Sequence, residues 1–341
     1  MNYYFDWKDG IKEDELNIAI EELKNGKLLL VPTETVYGIA ANAYLDDACR
    51  KIFDAKKRPQ DNPLIVHVSD KGMISEIAEE PNEIEKELID NFMPGPFTLI
   101  LNKKKVIGSV VSANMNTIGI RMPSNEIVNR IIKKSRIPIA APSANVSGRP
   151  SGTCVEDVID ELKEKMDVII DGGKCKIGIE STVVKVIDGV PMILRPGYIT
   201  EQDIERVAGS VRLSDKLFET IEGNDHVESP GMKYRHYAPK TKCILVEYGD
   251  NQINRINEII HKNNNVCVLG YEEDKSFIEV EDSRFINLGS RNDLKKVSQN
   301  VFSALRNIDK IENCELAIVE GIEKKGLGLS IMNRLSRACE N

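Results

Sequence analysis

Three cations stand side by side where a predicted helix ends and a buried strand begins, in the segment KKRPQDNPL at residues 56–64. Arginine offers a planar fork of donors and lysine a compact charge, so Lys56 and Arg58 suit a ligand whose negative charge must be held and neutralised during transfer. A triphosphate fits that description. Cations in a last helical turn also complement the helix dipole, so this segment alone leaves both interpretations open.

Two further segments place small polar side chains after predicted strands. Residues 32–38 read PTETVYG and follow the first strand, at the sheet edge where ligands bind in open α/β folds. Residues 141–152 read APSANVSGRPSG and offer hydroxyls, an amide side chain and backbone amides that suit phosphate or ribose. Each segment has a simpler alternative, because Thr and Glu also cap helices and small polar residues also form surface turns.

Arg121 is the most telling single residue, since it lies inside the strand-like run GIRM. A buried guanidinium requires an anionic partner. A carboxylate substrate would serve, and so would an internal ion pair with Glu34 or Glu180, so both remain open. His67 lies in the apolar run 64–68, where a histidine is more often a satisfied core residue than a functional one.

Glycine-rich runs add hydroxyls and another cation. Residues 171–173 read DGG, residues 178–182 read GIEST, and Arg195 begins RPG. Signatures of the common nucleotide sites, zinc proteases and serine hydrolases are absent, and only four histidines occur. A phosphorylated ligand would therefore have to be held by scattered cations, hydroxyls and loop amides.

The elements that must position these groups read as a mixed α/β sheet. A helix is predicted at 13–25 and a strand at 27–31. Helical stretches separate several further runs of strand length, at 64–68, 97–101, 118–122, 137–141 and 168–170. Asp188-Gly189 is a hairpin signal between runs at 181–187 and 192–194, so parallel and antiparallel strands are both expected.

A second, smaller unit follows. A polar helix at 200–208 leads into a charged stretch and the segment SPGMKYRHYAP at 229–239. Strands and helices then alternate, at 243–246, 253–261, 266–269, 294–308 and 316–319, which predicts a Rossmann-like parallel α/β domain. We therefore expect a catalytic domain at 1–208, a linker at 209–241 and a C-terminal domain at 242–341.

Composition narrows the classes of function. The 341 residues carry a net charge of −8, so nucleic acid cannot be held by a chain-wide basic surface and any tRNA contact would be weak and local. Seven cysteines without C-x-x-C spacing argue against a disulfide framework or structural zinc. The start of the chain lacks a signal-peptide pattern and no run is long enough to span a bilayer, so we expect a cytoplasmic protein without membrane contact.

Six motifs in this order resemble the Sua5/YrdC family in its long, Sua5 form. They are PTETVYG, K-x-R followed by N-P-L, S-x-N at Ser143 and Asn145, GIEST, LRPG, and the linker SPGMKYRHYAP. The resemblance covers the whole chain, and the ending GLGLSIMNRL is also similar to that of Sua5 members. It implies a YrdC-like mixed twisted sheet followed by the smaller domain.

The resemblance also implies an activity, L-threonylcarbamoyladenylate synthesis from L-threonine, bicarbonate or CO2, and ATP, with Mg²⁺ accompanying the nucleotide. The protein would then be a nucleotidyltransferase of tRNA processing. A downstream tRNA threonylcarbamoyl transferase would move the group to adenosine at position 37. No covalent enzyme nucleophile is needed, so catalysis would rest on positioning and on neutralising phosphate charge.

Residue roles carried over from the family motifs fall into three groups. Those expected to hold threonine are Thr35, His67, Arg121, Ala141 through its backbone, and Ser181. Those expected to hold ATP are Arg58, Asn62, Thr117, Ser143, Ser151, Arg195, Tyr234 and His236. The catalytic group, beside the phosphates and the carbamate, is Lys56, Arg58, Ser143 and Asn145. The linker, through Tyr234, Arg235 or His236, is the expected lid over a labile intermediate.

Two alternatives stay open from the sequence. One is a carbamoyl-adenylate-forming carbamoyltransferase, although relatives with that activity resemble fusions with further domains that this chain does not show. The other is an RNA-binding module without catalysis, against which the acidic total and the lack of interleaved aromatic and basic residues both count.

Overall fold

The computed structural model describes residues 3–218 and 236–340, and the statements below refer to those residues. The strands of the first part are β1 (Tyr3–Asp6), β2 (Leu29–Val31), β3 (Gly38–Asn42), β4 (Ile65–His67), β5 (Phe97–Asn102), β6 (Thr117–Arg121), β7 (Ile139–Ala140), β8 (Val168–Asp171), β9 (Thr182–Ile187), β10 (Val190–Arg195) and β11 (Arg212–Leu213). Its helices are α1 (Glu13–Lys24), α2 (Asp46–Lys56), α3 (Lys71–Ile77), α4 (Glu83–Phe92), α5 (Ser109–Ser112), α6 (Glu126–Ser135), α7 (Ile159–Leu162) and α8 (Glu201–Ala208).

These strands form one mixed sheet in the order β1-β8-β2-β3-β7-β4-β6-β5-β9-β10-β11. Strand β4 pairs parallel with β6 but antiparallel with β7, and β9 and β10 form an antiparallel hairpin around Asp188 and Gly189. The predicted mixed α/β sheet is confirmed. Because β7 runs antiparallel to its neighbour β4, the loop after β7 begins beside the first residues of β4, while β4 and β6 end side by side.

Local sequence explains why several of these helices form. Helix α1 buries Leu16, Ala19, Ile20 and Leu23 at helical spacing, and its first turn is acidic, which favours the helix dipole. The side chain of Asn125 caps α6 by accepting from the amides of the first turn, and the apolar face of α6 packs on the same core.

Four strands were not predicted, and each is short or lacks an alternating pattern. They are β1, β3, β11 and β14, the last at Phe285–Asn287. Strand β3 matters most, because it follows PTETVYG directly. The alternative from the sequence was that Thr and Glu of this segment cap a following helix. That alternative is wrong, because Thr33 and Glu34 belong to a connection between two antiparallel strands.

The C-terminal part is a separate parallel sheet. Its elements are β12 (Lys242–Val246), α9 (Gln252–Lys262), β13 (Val266–Gly270), β14 (Phe285–Asn287), α10 (Leu294–Ile308), β15 (Leu316–Glu320) and α11 (Leu327–Cys339). The strand order is β12-β15-β13-β14, and every pairing is parallel. The predicted Rossmann-like parallel architecture is therefore confirmed.

The segment predicted as a linker is tied to the domains on both sides. Strand β11 pairs parallel with β10, so the first sheet extends past the expected boundary at residue 208. After the undescribed stretch, Ala238 donates from its amide to the carbonyl of Gly148 at 2.7 Å. The carboxylate of Asp309 then accepts from the amides of Lys240 at 2.8 Å and Thr241 at 3.0 Å.

The two parts share an apolar core. Val36, Ile179 and Tyr237 pack in the same buried cluster as Phe302 of α10 and Ile331 of α11. Polar contacts surround that cluster, including those of Ser298 and Gln299 of α10 with the carbonyls of Ile177 and Lys176 at 3.0 and 2.6 Å. The C-terminal domain is thus packed directly against the loops that surround the sheet edge.

Gly178 permits the closest approach between the two parts. Its φ is +85°, and a Cβ there would lie 2.4 Å from the Cα of Gln299, against backbone that cannot give way. We expect Gly178→Ala to destabilise the protein by about 2–4 kcal/mol, measured by chemical denaturation. Gly189→Ala is the matched control, since its φ is +76° with no atom within 4 Å of a Cβ. Equal losses in both variants would show that close packing at Gly178 is unimportant.

None of the helices in the described ranges, residues 3–218 and 236–340, has the length and apolarity needed to cross a membrane.

Candidate functional site

A cleft opens at the edge of the first sheet where the polar loops meet. It encloses about 710 Å³ including its mouth. Its lining comes from the loops after β2 and β7, the end of α2, strands β4 and β6, both flanks of the β9–β10 hairpin, and the start of the segment that leads into the C-terminal domain. The lining residues are Thr33, Thr35, Val36, Tyr37, Gly38, Lys56, Arg58, Ile65, His67, Arg121, Ala141, Pro142, Ser143, Asn145, Ser147, Glu180, Ser181, Arg195, His236 and Tyr237.

Lys56 is buried at the end of α2 and is fully engaged with the loop after β7. Its ammonium donates to the carbonyls of Ser143 and Asn145, the latter at 2.8 Å, and to Oδ1 of Asn145 at 3.1 Å. An ammonium has three protons, so all of its donors are used. Burial and the nearby Arg58 lower the pKa of Lys56 below its ordinary value. The three hydrogen bonds of Lys56 therefore fix the conformation of the loop after β7.

The loop that Lys56 holds presents a hydroxyl to the cleft. Ser143 donates from Oγ to Oδ1 of Asn145 at 2.7 Å, and Nδ2 of Asn145 donates to the carbonyls of Val146 and Arg149, each at 2.9 Å. The amide of Ala144 donates to the carbonyl of Tyr37 at 2.6 Å. The S-x-N loop and the PTETVYG loop are thereby joined into one wall.

Arg58 lies beside this wall and is half-buried. Its guanidinium donates from Nε to the carbonyl of Asn62 at 3.3 Å and from Nη2 to that of Pro63 at 3.0 Å. Those contacts hold the guanidinium in the lining of the cleft. Lys57, the neighbouring cation, is exposed and outside the lining.

Arg121 is the arginine that lines the cleft from strand β6. It is buried on β6, donates from Nη1 to Oγ1 of Thr35 at 2.9 Å, and has Nη2 2.7 Å from Oε1 of Glu34. The internal ion pair that the sequence left open does form. Nevertheless, within residues 3–218 and 236–340 neither Nε nor Nη2 has a partner at hydrogen-bond geometry, and neither carboxylate oxygen of Glu34 has one. The guanidinium can therefore still bind a carboxylate.

His67 lies next to Arg121, because β4 and β6 pair in register at these two residues. It is 3 % exposed, and Nδ1 has no hydrogen-bond partner among the described atoms. Burial and the positive charge of Arg121 lower the pKa of His67 to about 3. The imidazole is therefore neutral at physiological pH and able to contact a polar ligand without repelling a cation.

The buried His67 predicts a specific pH dependence of stability. Between the unfolded value of about 6.5 and the folded value of about 3, only the unfolded chain binds the proton. The contribution of His67 to the free energy of unfolding is therefore fully present above pH 6.5. Below that pH it is lost at about 1.4 kcal/mol per pH unit. We expect His67→Gln to flatten this slope in denaturation measured from pH 7 to 4.5. The surface variant His261→Gln serves as control, and an unchanged slope in His67→Gln would contradict the assignment.

Ser181 and Arg195 close the far side of the cleft. The guanidinium of Arg195 donates to the carbonyl of Ser181 from Nη2 at 2.9 Å and to its Oγ at 3.1 Å. Thr98 of β5 lies 2.7 Å from the same Oγ. Glu180 precedes Ser181 and accepts from Ser151 Oγ at 2.7 Å. These contacts fix the GIEST and LRPG motifs to each other.

Not every predicted site residue reaches the lining. Asn62 and Ser151 are buried behind it, in contact with Arg58 and Glu180 respectively. Thr117 begins β6, about 13 Å from Arg121 at the rise of a strand, and pairs with Asn102 outside the cleft. Tyr234 and Arg235 lie outside the described residues. Whether these residues bind nucleotide stays a prediction.

The other predicted residues converge as expected, and their roles stay predictions. They are Thr35, Lys56, Arg58, His67, Arg121, Ala141, Ser143, Asn145, Ser181, Arg195 and His236. The sequence did not single out Tyr37, Ser147 or Tyr237 as lining residues, and it considered Glu180 only as an ion-pair partner. The aromatic residues gave no signal, because a buried tyrosine looks the same whether it faces a core or a cleft.

The electrostatics of the cleft favour an anion. Lys56, Arg58, Arg121 and Arg195 line it, against the carboxylate of Glu180. Glu34 pairs with Arg121 from outside the lining. Four cations against two carboxylates leave an excess of positive charge in a protein whose net charge is −8.

Family models and known proteins match both parts of the chain. The family model described as "Telomere recombination" matches residues 21–197, and that of "Threonylcarbamoyl-AMP synthase, C-terminal domain" matches residues 199–339. Threonylcarbamoyl-AMP synthase of Pyrococcus abyssi is 39 % identical over 99 % of this chain and 98 % of its own. The enzyme of the same name from Bacillus subtilis is 38 % identical over 98 % and 96 %.

Solved structures extend the comparison to the fold. The crystal structure of Pyrococcus abyssi Sua5 complexed with L-threonine superposes with a TM-score of 0.91 at 38 % identity, covering 99 % of this chain and 98 % of that one. Matches of this length include both domains and the segment between them. The chain therefore belongs to the threonylcarbamoyl-AMP synthase family, in the Sua5 form that joins a YrdC-type domain to a Sua5-type C-terminal domain.

Proposed function

We propose that this protein is an L-threonylcarbamoyladenylate synthase, a nucleotidyltransferase that makes threonylcarbamoyl-AMP and pyrophosphate from L-threonine, bicarbonate or CO2, and ATP. One observation carries the proposal. A single cleft brings together a buried arginine, Arg121, whose guanidinium can take a carboxylate, and further cations with a hydroxyl-bearing loop. An amino acid and a nucleotide that react with each other need a group for the carboxylate and cations for the phosphates in the same cleft.

The reaction consists of two bond-forming steps. The threonine amine, once deprotonated, attacks CO2 to give a carbamate, and a carbamate oxygen then attacks the α-phosphorus of ATP while pyrophosphate leaves. When bicarbonate is the source, water is released as well. Neither step needs an enzyme nucleophile, so the contribution of the chain is to align the reactants and to neutralise the phosphates.

Arg121 and its neighbours are assigned to threonine. Its guanidinium would take the α-carboxylate, beside Thr35, while neutral His67, the backbone of Ala141 and the hydroxyl of Ser181 complete the pocket. Each supplies a hydrogen-bonding group without adding another full charge. That suits a small zwitterion with a hydroxyl side chain.

The remaining polar groups of the lining are assigned to the nucleotide, with Arg195 directly beside Ser181. They include Arg58, Ser143, Arg195 and His236, and Asn62, Thr117, Ser151 and Tyr234 are proposed to contribute when ATP is bound. Lys56 and Asn145 support this group by shaping the loop of Ser143. Their catalytic effect would then come mainly through the geometry of that loop, which refines the expectation of a direct phosphate contact.

Mg²⁺ is proposed to arrive with ATP. In residues 3–218 and 236–340, no group of three or more His, Cys, Asp or Glu side chains could hold a metal ion. The phosphates themselves would therefore supply most of the ligands, while the cations of the cleft neutralise the remaining charge.

The intermediate is labile, so the site must exclude water. The segment 236–237 already lines the cleft, and the ring of Tyr237 packs 5.0 Å from that of Phe302. We propose that the linker, including Tyr234 and Arg235, closes over the reactants. The product would pass to a tRNA threonylcarbamoyl transferase for position 37 of tRNA in the cytoplasm, and this chain would make at most a weak contact with the tRNA itself.

The experiment is pyrophosphate release by the purified full chain. We expect release that requires ATP, threonine and bicarbonate together, with radiolabel from bicarbonate in the adenylate. Release with carbamoyl phosphate in place of threonine and bicarbonate would favour a carbamoyltransferase instead. Tight tRNA binding at physiological salt without threonine-dependent release would favour an RNA-binding module.

A further inference from the structure

The C-terminal domain contributes a fully buried arginine next to the cleft. Arg334 lies on α11, is 0 % exposed, and donates from Nε to Oε2 of Glu180 at 3.0 Å. Its Nη1 donates to the carbonyl of Pro196 at 2.5 Å, and its Nη2 donates to the carbonyl of Glu180 at 3.5 Å. The Arg334 side chain is therefore hydrogen-bonded to the chain just before and just after the β9–β10 hairpin.

Both segments that Arg334 contacts, at Glu180 and at Pro196, adjoin residues that line the cleft. Glu180 is followed by Ser181, and Pro196 is preceded by Arg195, which donates to the carbonyl and the hydroxyl of Ser181. A shift of Glu180 would thus move both Ser181, which is assigned to threonine, and Arg195, which is assigned to the nucleotide. Arg334 itself does not line the cleft.

Neighbouring residues on the same face of α11 make matching contacts. Ser330 donates from Oγ to the carbonyl of Gly197 at 2.6 Å, and Asn333 donates from Nδ2 to the carbonyl of Leu217 at 2.7 Å. Positions 330, 333 and 334 share one side of a helix. The helix thus binds the chain that leaves the hairpin at three points.

Charge explains why an arginine is needed at this point. Glu180 is buried, and burial opposes its ionisation, yet Arg334, Arg195 and the hydrogen bond from Ser151 together lower its pKa below the ordinary value. Arg195 donates to the carbonyl and hydroxyl of Ser181, whereas Arg334 donates directly to the Glu180 carboxylate at 3.0 Å. Arg334 therefore both helps to neutralise Glu180 and orients its carboxylate through a direct hydrogen bond.

We infer that Arg334 is a positioning residue of the cleft, which acts through Glu180 to hold Ser181 and Arg195 in place for catalysis. The C-terminal domain is then part of the active site and not an accessory to it. This inference rests on the proposed synthase function.

Arg306 of α10 provides a matched control, because it too is a buried arginine that crosses between the domains. It pairs with Glu161 at 3.0 Å and donates to the carbonyl of Pro150 at 2.5 Å, and neither partner lines the cleft. If arginines at this interface only hold the domains together, removing either should have the same effect.

The test compares Arg334→Met and Arg306→Met in the full chain by steady-state pyrophosphate release and by calorimetric binding of threonine. We expect Arg334→Met to lower kcat/KM for threonine at least tenfold more than Arg306→Met does, with weaker threonine binding. Equal kcat/KM in the two variants would overturn the inference. Wild-type protein is measured in parallel, so that absence of threonine-dependent release from wild type identifies a failure of the proposed function instead.

A second readout follows the charge of Glu180. In Arg334→Met the carboxylate loses its cation and is favoured in its protonated form, so the thermal midpoint relative to wild type should fall as the pH rises from 5.5 to 8.5. Adding Glu180→Gln should remove that dependence while kcat/KM stays low. A dependence that persists in the double variant would contradict a role through Glu180. If Arg334→Met alone does not fold, the double variant Arg334→Met/Glu180→Gln is compared with Arg306→Met in the kinetic test instead. It buries no unpaired charge at this position.

Discussion

Replacing Arg121 by methionine is expected to raise the threonine concentration for half-maximal rate by roughly 10²-fold. Truncating one partner of a buried, hydrogen-bonded charge pair costs about 2–5 kcal/mol, and Arg121, which donates to Thr35, is the cation proposed for the α-carboxylate. The affinity for ATP should change much less, because Arg121 is assigned to threonine and not to the nucleotide. Steady-state kinetics with each substrate varied in turn measures both.

Arg121→Met also leaves Glu34 buried without its cation, which lowers stability for a reason unrelated to catalysis. The double variant Arg121→Met/Glu34→Gln separates the two effects. It should recover stability in thermal denaturation while the threonine KM remains high. Recovery of the threonine KM along with stability would show that Arg121 has only a structural role.

Replacing Lys56 by methionine is expected to reduce the rate of pyrophosphate release by about 10²- to 10³-fold. Three acceptors of the S-x-N loop lose their donor at once, so the hydroxyl of Ser143 is no longer fixed. A displacement of about 1 Å at a reacting centre is enough to cost 10²-fold. Threonine binding, measured by calorimetry, should be retained because Arg121 and Thr35 are untouched.

Lys57→Met is the matched control for this prediction, since it removes the adjacent lysine, which is exposed and outside the lining. Its rate should stay near that of the unsubstituted protein. If the two variants lose activity equally, the general positive charge of the segment matters and the hydrogen bonds of Lys56 do not.

The fold was predictable where the pattern of apolar residues was strong. Helix α1 was expected at 13–25 and forms at Glu13–Lys24, and the hairpin at Asp188-Gly189 forms as its turn residues indicate. Strand β3, with sequence GIAAN, has no alternating pattern because both of its faces are buried. Strand β11 is only two residues long and exists because β10 offers a free edge. Local sequence cannot reveal either kind of strand.

The site was predictable as a set of loops, whereas the connections within it were not. Motif types identified the cations, and adjacency to strands indicated a common edge. Sequence could not show that all three hydrogen bonds of the Lys56 ammonium go to Ser143 and Asn145, which lie 87 and 89 positions away. Nor could it show that Arg334, within the ending GLGLSIMNRL, reaches Glu180 across 154 positions. Such pairings arise only when the sheet and the two domains have assembled.

The central claim is that one cleft binds threonine and ATP side by side. The most direct measurement is a crystal structure of the full chain with L-threonine and a non-hydrolysable ATP analogue. We predict density for both ligands in this cleft, with the threonine carboxylate on Arg121 and the phosphates between Arg58, Ser143 and Arg195. Threonine bound away from Arg121, or a nucleotide bound only in the C-terminal domain, would contradict the account.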